Sequence, residues 1–293
     1  MRTRELIAAY EAANPDDEGL LAALDDAERF LATVPGSFSC VYDSAPLPEP
    51  IDPRFLGNRL LDTIWFLLGF AQHSTAYRWR WLLTAAWRGL DDSEPLVTCL
   101  ATRSLLELAA VFNRLYEELG PSMSALVALR KGTAHSADAW RALLPANNIL
   151  FEHMTATRFN YDAARRRDFE TLFEHPDADR PTTNILTLLD KMPQDSPRIV
   201  SWHYKYLSDF VHPNKGAHDL TIEESYQVNE TAKAFNLTLH PTSKRAFDLV
   251  LSVVAYPLLV SLQSLTQQLS ASQEWLTAAY VLRQALGGSS SSH

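Results

Sequence analysis

The segment PLVTCLATRSLLELAAVFNRLYEEL, residues 95–119, carries two apolar stripes at helical spacing where one is usual. Leu96, Cys99, Leu100, Leu106 and Ala110 form the first, and Leu105, Leu108, Phe112, Leu115 and Leu119 the second. A helix with one apolar stripe lies on a core, whereas a helix with two is surrounded by it. Such an element needs helices on several sides, and the rest of the chain supplies them.

Residues 3–13 and 17–34 have helical spacing, with Leu20, Leu21, Leu24, Phe30 and Leu31 recurring at threes and fours. Residues 55–89 read as one long helix or two consecutive ones, with Gly69 as the point of a kink. Ser93 before Glu94 and Pro95 reads as the N-terminal cap of the central helix, and Gly120 with Pro121 as its stop. Further helices are expected near 122–130, 136–144, 184–192 and 198–211. A long C-terminal helix follows, kinked at Pro257, and SQEWLTAAYVLRQAL makes a short final one. Strand-like alternation is confined to Phe235, Leu237 and Leu239, one arm of a hairpin. The fold class is therefore all-α, a multi-helix bundle with a short irregular or hairpin insertion near 225–240. In domain terms, residues 1–44 form a helical appendage and 45–54 a proline-rich linker. Residues 55–286 form the bundle, and 287–293 a disordered low-complexity tail.

Composition narrows the class of function. A formal charge of −9 argues against a non-specific coat on nucleic acid, although a local basic site is compatible with it. Only Cys40 and Cys99 are present, neither in a CxxC pair, which excludes a disulfide scaffold and a cysteine zinc site and points to a reducing cytoplasm. The first 20 residues lack the apolar core of a signal peptide. The longest apolar run, 249–262, is too short for a normal membrane span and is interrupted by Pro257. No membrane partner is expected, and no Gly-rich phosphate loop, HExxH or nucleophile elbow occurs.

Two polar groups intrude on the first apolar stripe. Arg103 and Glu107 stand four residues apart on it, within reach of each other. Charges on a buried stripe need hydrogen-bonding partners, because an unpaired one costs several kcal/mol, roughly. YKYLSDFVHPNKGAH, residues 204–218, supplies them: Tyr204, Ser208 and His212 are spaced at four and four on one helix face. Pro213 ends the helix at His212, and Asn214 and Gly216 suit the reversal that follows.

An R-x-x-x-E helix followed by a Y-x-x-L-S helix that ends in histidine resembles a group of uncharacterised bacterial helical proteins. Their architecture is similar to the HEPN superfamily, the helical domains of toxin and antiviral ribonucleases. The resemblance covers roughly residues 60–214 and implies Arg103, Glu107, Tyr204, Ser208 and His212 as site residues. It implies a protein of a bacterial toxin or phage-defence type system acting on RNA or nucleotides. HEPN ribonucleases also carry an arginine followed four to six residues later by histidine. RKGTAH, Arg130 to His135, has that spacing but places Lys131 after the arginine and Gly132 inside the expected helix.

If the site is catalytic, the residues suit metal-independent RNA cleavage. A histidine titrating near neutrality removes the 2′-hydroxyl proton, and arginine stabilises the growing phosphate charge. Arg130, His135 and Asn214 are then binding residues, with no metal and no cofactor. A protein partner or a second copy of the chain completes the expected partners. The alternative is a non-catalytic helical interaction or sensor protein whose Arg–Glu–Ser–His network is structural. Arg165, Arg166 and Arg167 read as a solvated face, Tyr77 and Trp81 as core residues beside snorkelling Arg78 and Arg80, and His73 as an ordinary helix histidine.

Overall fold

The computed structural model describes residues 2–15, 19–38, 53–132, 137–155, 184–192, 200–212, 215–238 and 240–287. The helices are α1 (Arg2–Ala13), α2 (Leu20–Thr33), α3 (Pro53–Asp91), α4 (Pro95–Arg130), α5 (Ala137–Arg141) and α6 (Leu144–Thr155). After them come α7 (Ile185–Leu189), α8 (Val200–Val211) and α9 (Lys215–Asp219). A hairpin of β1 (Ile222–Gln227) and β2 (Lys233–Leu237) precedes α10 (Lys244–Gly287). The fold is all-α with one small two-stranded sheet. Cys40, the prolines at 46, 48 and 50, Arg165–Arg167, and the tail from 288 lie outside the described residues.

The chain forms two compact units. The first takes residues 1–35, 75–113 and 185–268, and the second 36–74, 114–184 and 269–293. In the first unit, Leu20, Leu24, Ala27 and Leu31 of α2 are buried at threes and fours. Phe30 of α2 stacks on the fully buried Trp79 with ring centroids 5.8 Å apart. Arg4 of α1 donates to Asp25 at 2.6 Å and Glu28 at 2.8 Å on α2, a surface fork that is worth little energy but fixes orientation. In the second unit, Tyr116 stacks on Trp275 at 4.8 Å. Gln72, 4% exposed, donates to the Leu269 carbonyl at 3.2 Å and to Gln273 at 2.8 Å.

The stop expected at Gly120 and Pro121 fails, whereas the long helix expected to run through Pro257 is present. α4 runs through Pro121 to Arg130, and α10 runs unbroken through Pro257, absorbing the short final helix expected after it. An interior proline costs about 3 kcal/mol. Beyond Pro121, Met123, Leu126 and Leu129 are at most 3% exposed, and each such burial contributes about 1.5–3 kcal/mol. Burial wins. Likewise α3 is continuous through Gly69, whose bare Cα faces the Phe38 ring. At the α3–α4 junction Ser93 takes a left-handed conformation, φ 56°, and ends the turn, so Glu94 stands at the cap position instead. Its carbonyl accepts from Thr98 N at 3.2 Å.

Two readings of helix faces are corrected. Leu96 and Leu100 of the first stripe are 47% and 44% exposed, whereas Cys99, Leu106 and Ala110 of the same stripe are buried, so only its first turns reach the rim of the core. In α3 the buried register passes through Ala76, Trp79, Leu83, Ala86 and Leu90, which leaves Trp81 72% exposed. Tyr77 is half-buried and donates to the Pro35 carbonyl at 3.0 Å. The interleaved YRWRW motif hid which of its aromatics begins the buried series. Arg80 caps the C-terminal end of α2 by donating to the Leu31 carbonyl, and His73 engages the Gly69 carbonyl at 2.7 Å.

Among the described residues, two helices are apolar enough by length and composition to cross a membrane, Pro95–Arg130 and Phe247–Leu286. In each, 61% of the most apolar window is buried by the rest of the chain.

Candidate functional site

The polar cluster lies in the first unit, where α4 meets α8. α4 presents Arg103 and Glu107 one helical turn apart, and α8 presents Tyr204 from its buried face, alongside Val200, Leu207 and Phe210. The amphipathic register of α8 determines this. Any helix that buries residues 200, 207 and 210 also turns 204 inward.

Tyr204 joins the two charges. Arg103 Nη2 donates to the Tyr204 hydroxyl at 2.8 Å, and that hydroxyl donates to Glu107 Oε1 at 2.6 Å. The guanidinium also sits over the Tyr204 ring, 4.9 Å from its centroid, in cation–π contact. Arg103 Nε is 3.5 Å from Glu107 Oε1, close enough for charge attraction but too long for a hydrogen bond, and Nε is a buried donor with no bonded acceptor. The tyrosine hydroxyl therefore provides the aligned bonds that the ion pair lacks. Burial, then the bond to Glu107, push the Tyr204 pKa up, while Arg103 pulls the other way. Neither charge is sealed: the side chains of Arg103 and Glu107 are 23% and 33% exposed.

Ser208 and His212 do not join the cluster. The Ser208 hydroxyl donates back to the Tyr204 carbonyl at 2.8 Å, a bond within its own helix. His212 is exposed at the end of α8, its backbone N–H donating to the Ser208 carbonyl at 3.1 Å. No hydrogen bond or ion pair links either residue to Arg103 or Glu107 among the described residues. Four-residue spacing placed all three on one face, but each step of four also moves about 6 Å along the axis. Only the first residue of the series is level with the arginine. After the turn, Asp209 Oδ2 accepts from Gly216 N at 3.0 Å, and a Cβ on Gly216 would lie 2.8 Å from that oxygen. Glycine at 216 thus serves close approach.

Arg130 is exposed at the C-terminal end of α4, where cations are favoured. His135 and Asn214 lie outside the described residues. Among the described residues, no group of three or more His, Cys, Asp or Glu side chains is arranged to hold a metal ion. Cys99 is fully buried, and burial raises its thiol pKa to about 12, which makes it inert.

Sequence reasoning missed a second polar cluster in the same unit. Gln268 Nε2 donates to Ser264 Oγ at 2.9 Å and to Asn113 Oδ1, and all three residues are at most 9% exposed. The signal was present as Ser261, Ser264 and Gln268 at spacings of three and four inside the apolar register of α10.

Comparison of the chain with protein-family models, curated proteins and solved structures found no match.

Proposed function

We propose that this is a HEPN-like helical protein of a bacterial toxin or phage-defence type system, acting on RNA or nucleotides at the rim formed by α4 and α8. One observation supports the reading. The two motifs behind the resemblance meet in a single hydrogen-bonded cluster, across 101 residues for Arg103 to Tyr204 and 97 for Tyr204 to Glu107, with both charges still partly in solvent. The guanidinium has donors beyond the one given to Tyr204 and offers a planar cation to a phosphate oxygen. His212 is exposed and presents an imidazole, a group that can act as a base. It lies about 12 Å further along α8 than Tyr204, so the reading gives Arg103 and His212 different phosphates of one strand. The test is cleavage of single-stranded RNA in EDTA by the purified protein and by His212→Ala. Activity that persists in EDTA and falls by orders of magnitude in the variant is the expected result. No binding or cleavage of RNA, DNA or nucleotides would remove the reading.

A second reading, a non-catalytic interaction or sensor protein with a structural network, is favoured by the saturation of Tyr204. Its hydroxyl both accepts and donates within the cluster, and Ser208 is bonded to its own helix. Under that reading Tyr204→Phe changes stability, and no nucleic-acid affinity exists to lose.

A further inference from the structure

The hairpin between α9 and α10 is a two-stranded ribbon with little packed against it. Tyr226, Val228, Phe235 and Leu237 are 55%, 59%, 53% and 68% exposed. A lone two-stranded ribbon is marginal in water, and its outer edges are templates for further strands.

The register identifies which backbone groups face outwards. Val228 N donates to the Ala232 carbonyl at 2.9 Å, so 228 and 232 form a hydrogen-bonded pair. With Tyr226 opposite Ala234 and Glu224 opposite Asn236, the intervening pairs, Gln227–Lys233 and Ser225–Phe235, are of the non-bonded kind. A bulge between Ile222 and Glu224 shifts the register, and Thr238 N donates to the Thr221 carbonyl at 2.9 Å. Leu237 is thereby of the non-bonded kind as well. The N–H and C=O groups of Lys233, Phe235 and Leu237 all point away from β1. None of them has a hydrogen-bond partner among the described residues.

We infer that the outer edge of β2 pairs with β2 of a second copy, antiparallel about Phe235, to give a four-stranded sheet across a two-fold axis. Phe235 then lies opposite Phe235 of the copy, and Lys233 opposite Leu237. Every outward group is used, in about six backbone hydrogen bonds. The self-pairing is isologous, so it closes at a dimer. Charge selects this edge over the other. β2 carries one charged residue, Lys233, which the register sets against leucine. β1 carries Glu223 and Glu224, and the Glu223 carboxylate is occupied with Thr242, accepting from its N–H at 2.8 Å and its hydroxyl at 3.3 Å.

Sedimentation equilibrium of the full chain over about 1–100 µM, with Phe235→Pro and Leu237→Lys, tests this. Phe235→Pro costs no bond to β1, because the amide it removes points outwards. Leu237→Lys leaves the backbone untouched and serves if the proline variant fails to fold. The expected result is a concentration-dependent dimer whose dissociation constant rises roughly tenfold or more in each folded variant. A monomer across the range, or a dimer indifferent to Leu237→Lys, overturns the inference. So does a strand of another protein being needed before the edge is protected from hydrogen exchange.

Discussion

Tyr204 donates its hydroxyl proton to Glu107 at 2.6 Å and accepts from Arg103 at 2.8 Å, and through that one hydroxyl α8 is bonded to both charges of α4. Glu107 is one third exposed, so its charge is stabilised by water as well as by the tyrosine. The energetic weight of the cluster therefore rests on the hydroxyl.

Tyr204→Phe keeps the ring and its contact with the guanidinium but removes both aligned bonds. We expect a loss of about 1.5–3 kcal/mol, the range for hydrogen bonds to charged groups. Arg130→Ala, at an exposed helix end, should stay within about 0.5 kcal/mol of the parent. Urea melts of both variants check the ranking, and equal midpoints would remove the cluster from the list of stabilising features.

The same hydroxyl has a pH signature. Its pKa is raised on folding, so its contribution is complete below the ordinary tyrosine value of about 10. The contribution is lost as pH rises through the higher folded value. The stability difference between parent and Tyr204→Phe should hold steady through neutrality and narrow in alkali. A difference that widens with pH would mean that the phenolate, not the phenol, is the favoured form.

Cys99 should resist alkylation. With its thiol raised to about 12, about one part in ten thousand is thiolate at pH 8 in the folded state. Peptide mapping after iodoacetamide treatment should find Cys99 unmodified in native protein and modified in denaturant. Rapid native labelling would place it at the surface.

Gly89→Ala offers a conflict with a predictable winner. Alanine is favoured over glycine in a helix by about 0.5–1 kcal/mol. At this position, however, a Cβ would lie 2.5 Å from Thr98 Oγ1 and 2.9 Å from Thr98 N. A hydroxyl can rotate away, but the backbone nitrogen at the start of α4 cannot. We expect a net loss of about 1–3 kcal/mol in thermal melts, and a stabilised variant would mean that the α3–α4 junction is loose.

Most of the helices were legible because their apolar spacing is strong, and the errors in helix length share one cause. Gly120 and Pro121 were read by local preference, which favours a break, whereas α4 continues through both. A single sequence does not show how much surface the following turn will bury, and that quantity decides each case. That Arg103 and Glu107 need a partner from the helix of residues 204–212 was legible for the opposite reason, since charges on an apolar stripe oblige one. Spacing could not show which residue of the series Tyr204, Ser208, His212 would stand level with Arg103, because axial offset depends on how the two helices are staggered.

The bond from Tyr204 to Glu107 closes a ring of 97 residues. The entropy of closing a ring rises only with the logarithm of its length, so doubling the intervening chain would cost about 0.6 kcal/mol. Folding speed is more sensitive, because contacts between distant residues form late. Descendants of this gene could gain residues between α6 and α7 with little change at equilibrium. They would reach the folded state more slowly, and that delay is where selection on the length of the connection would act.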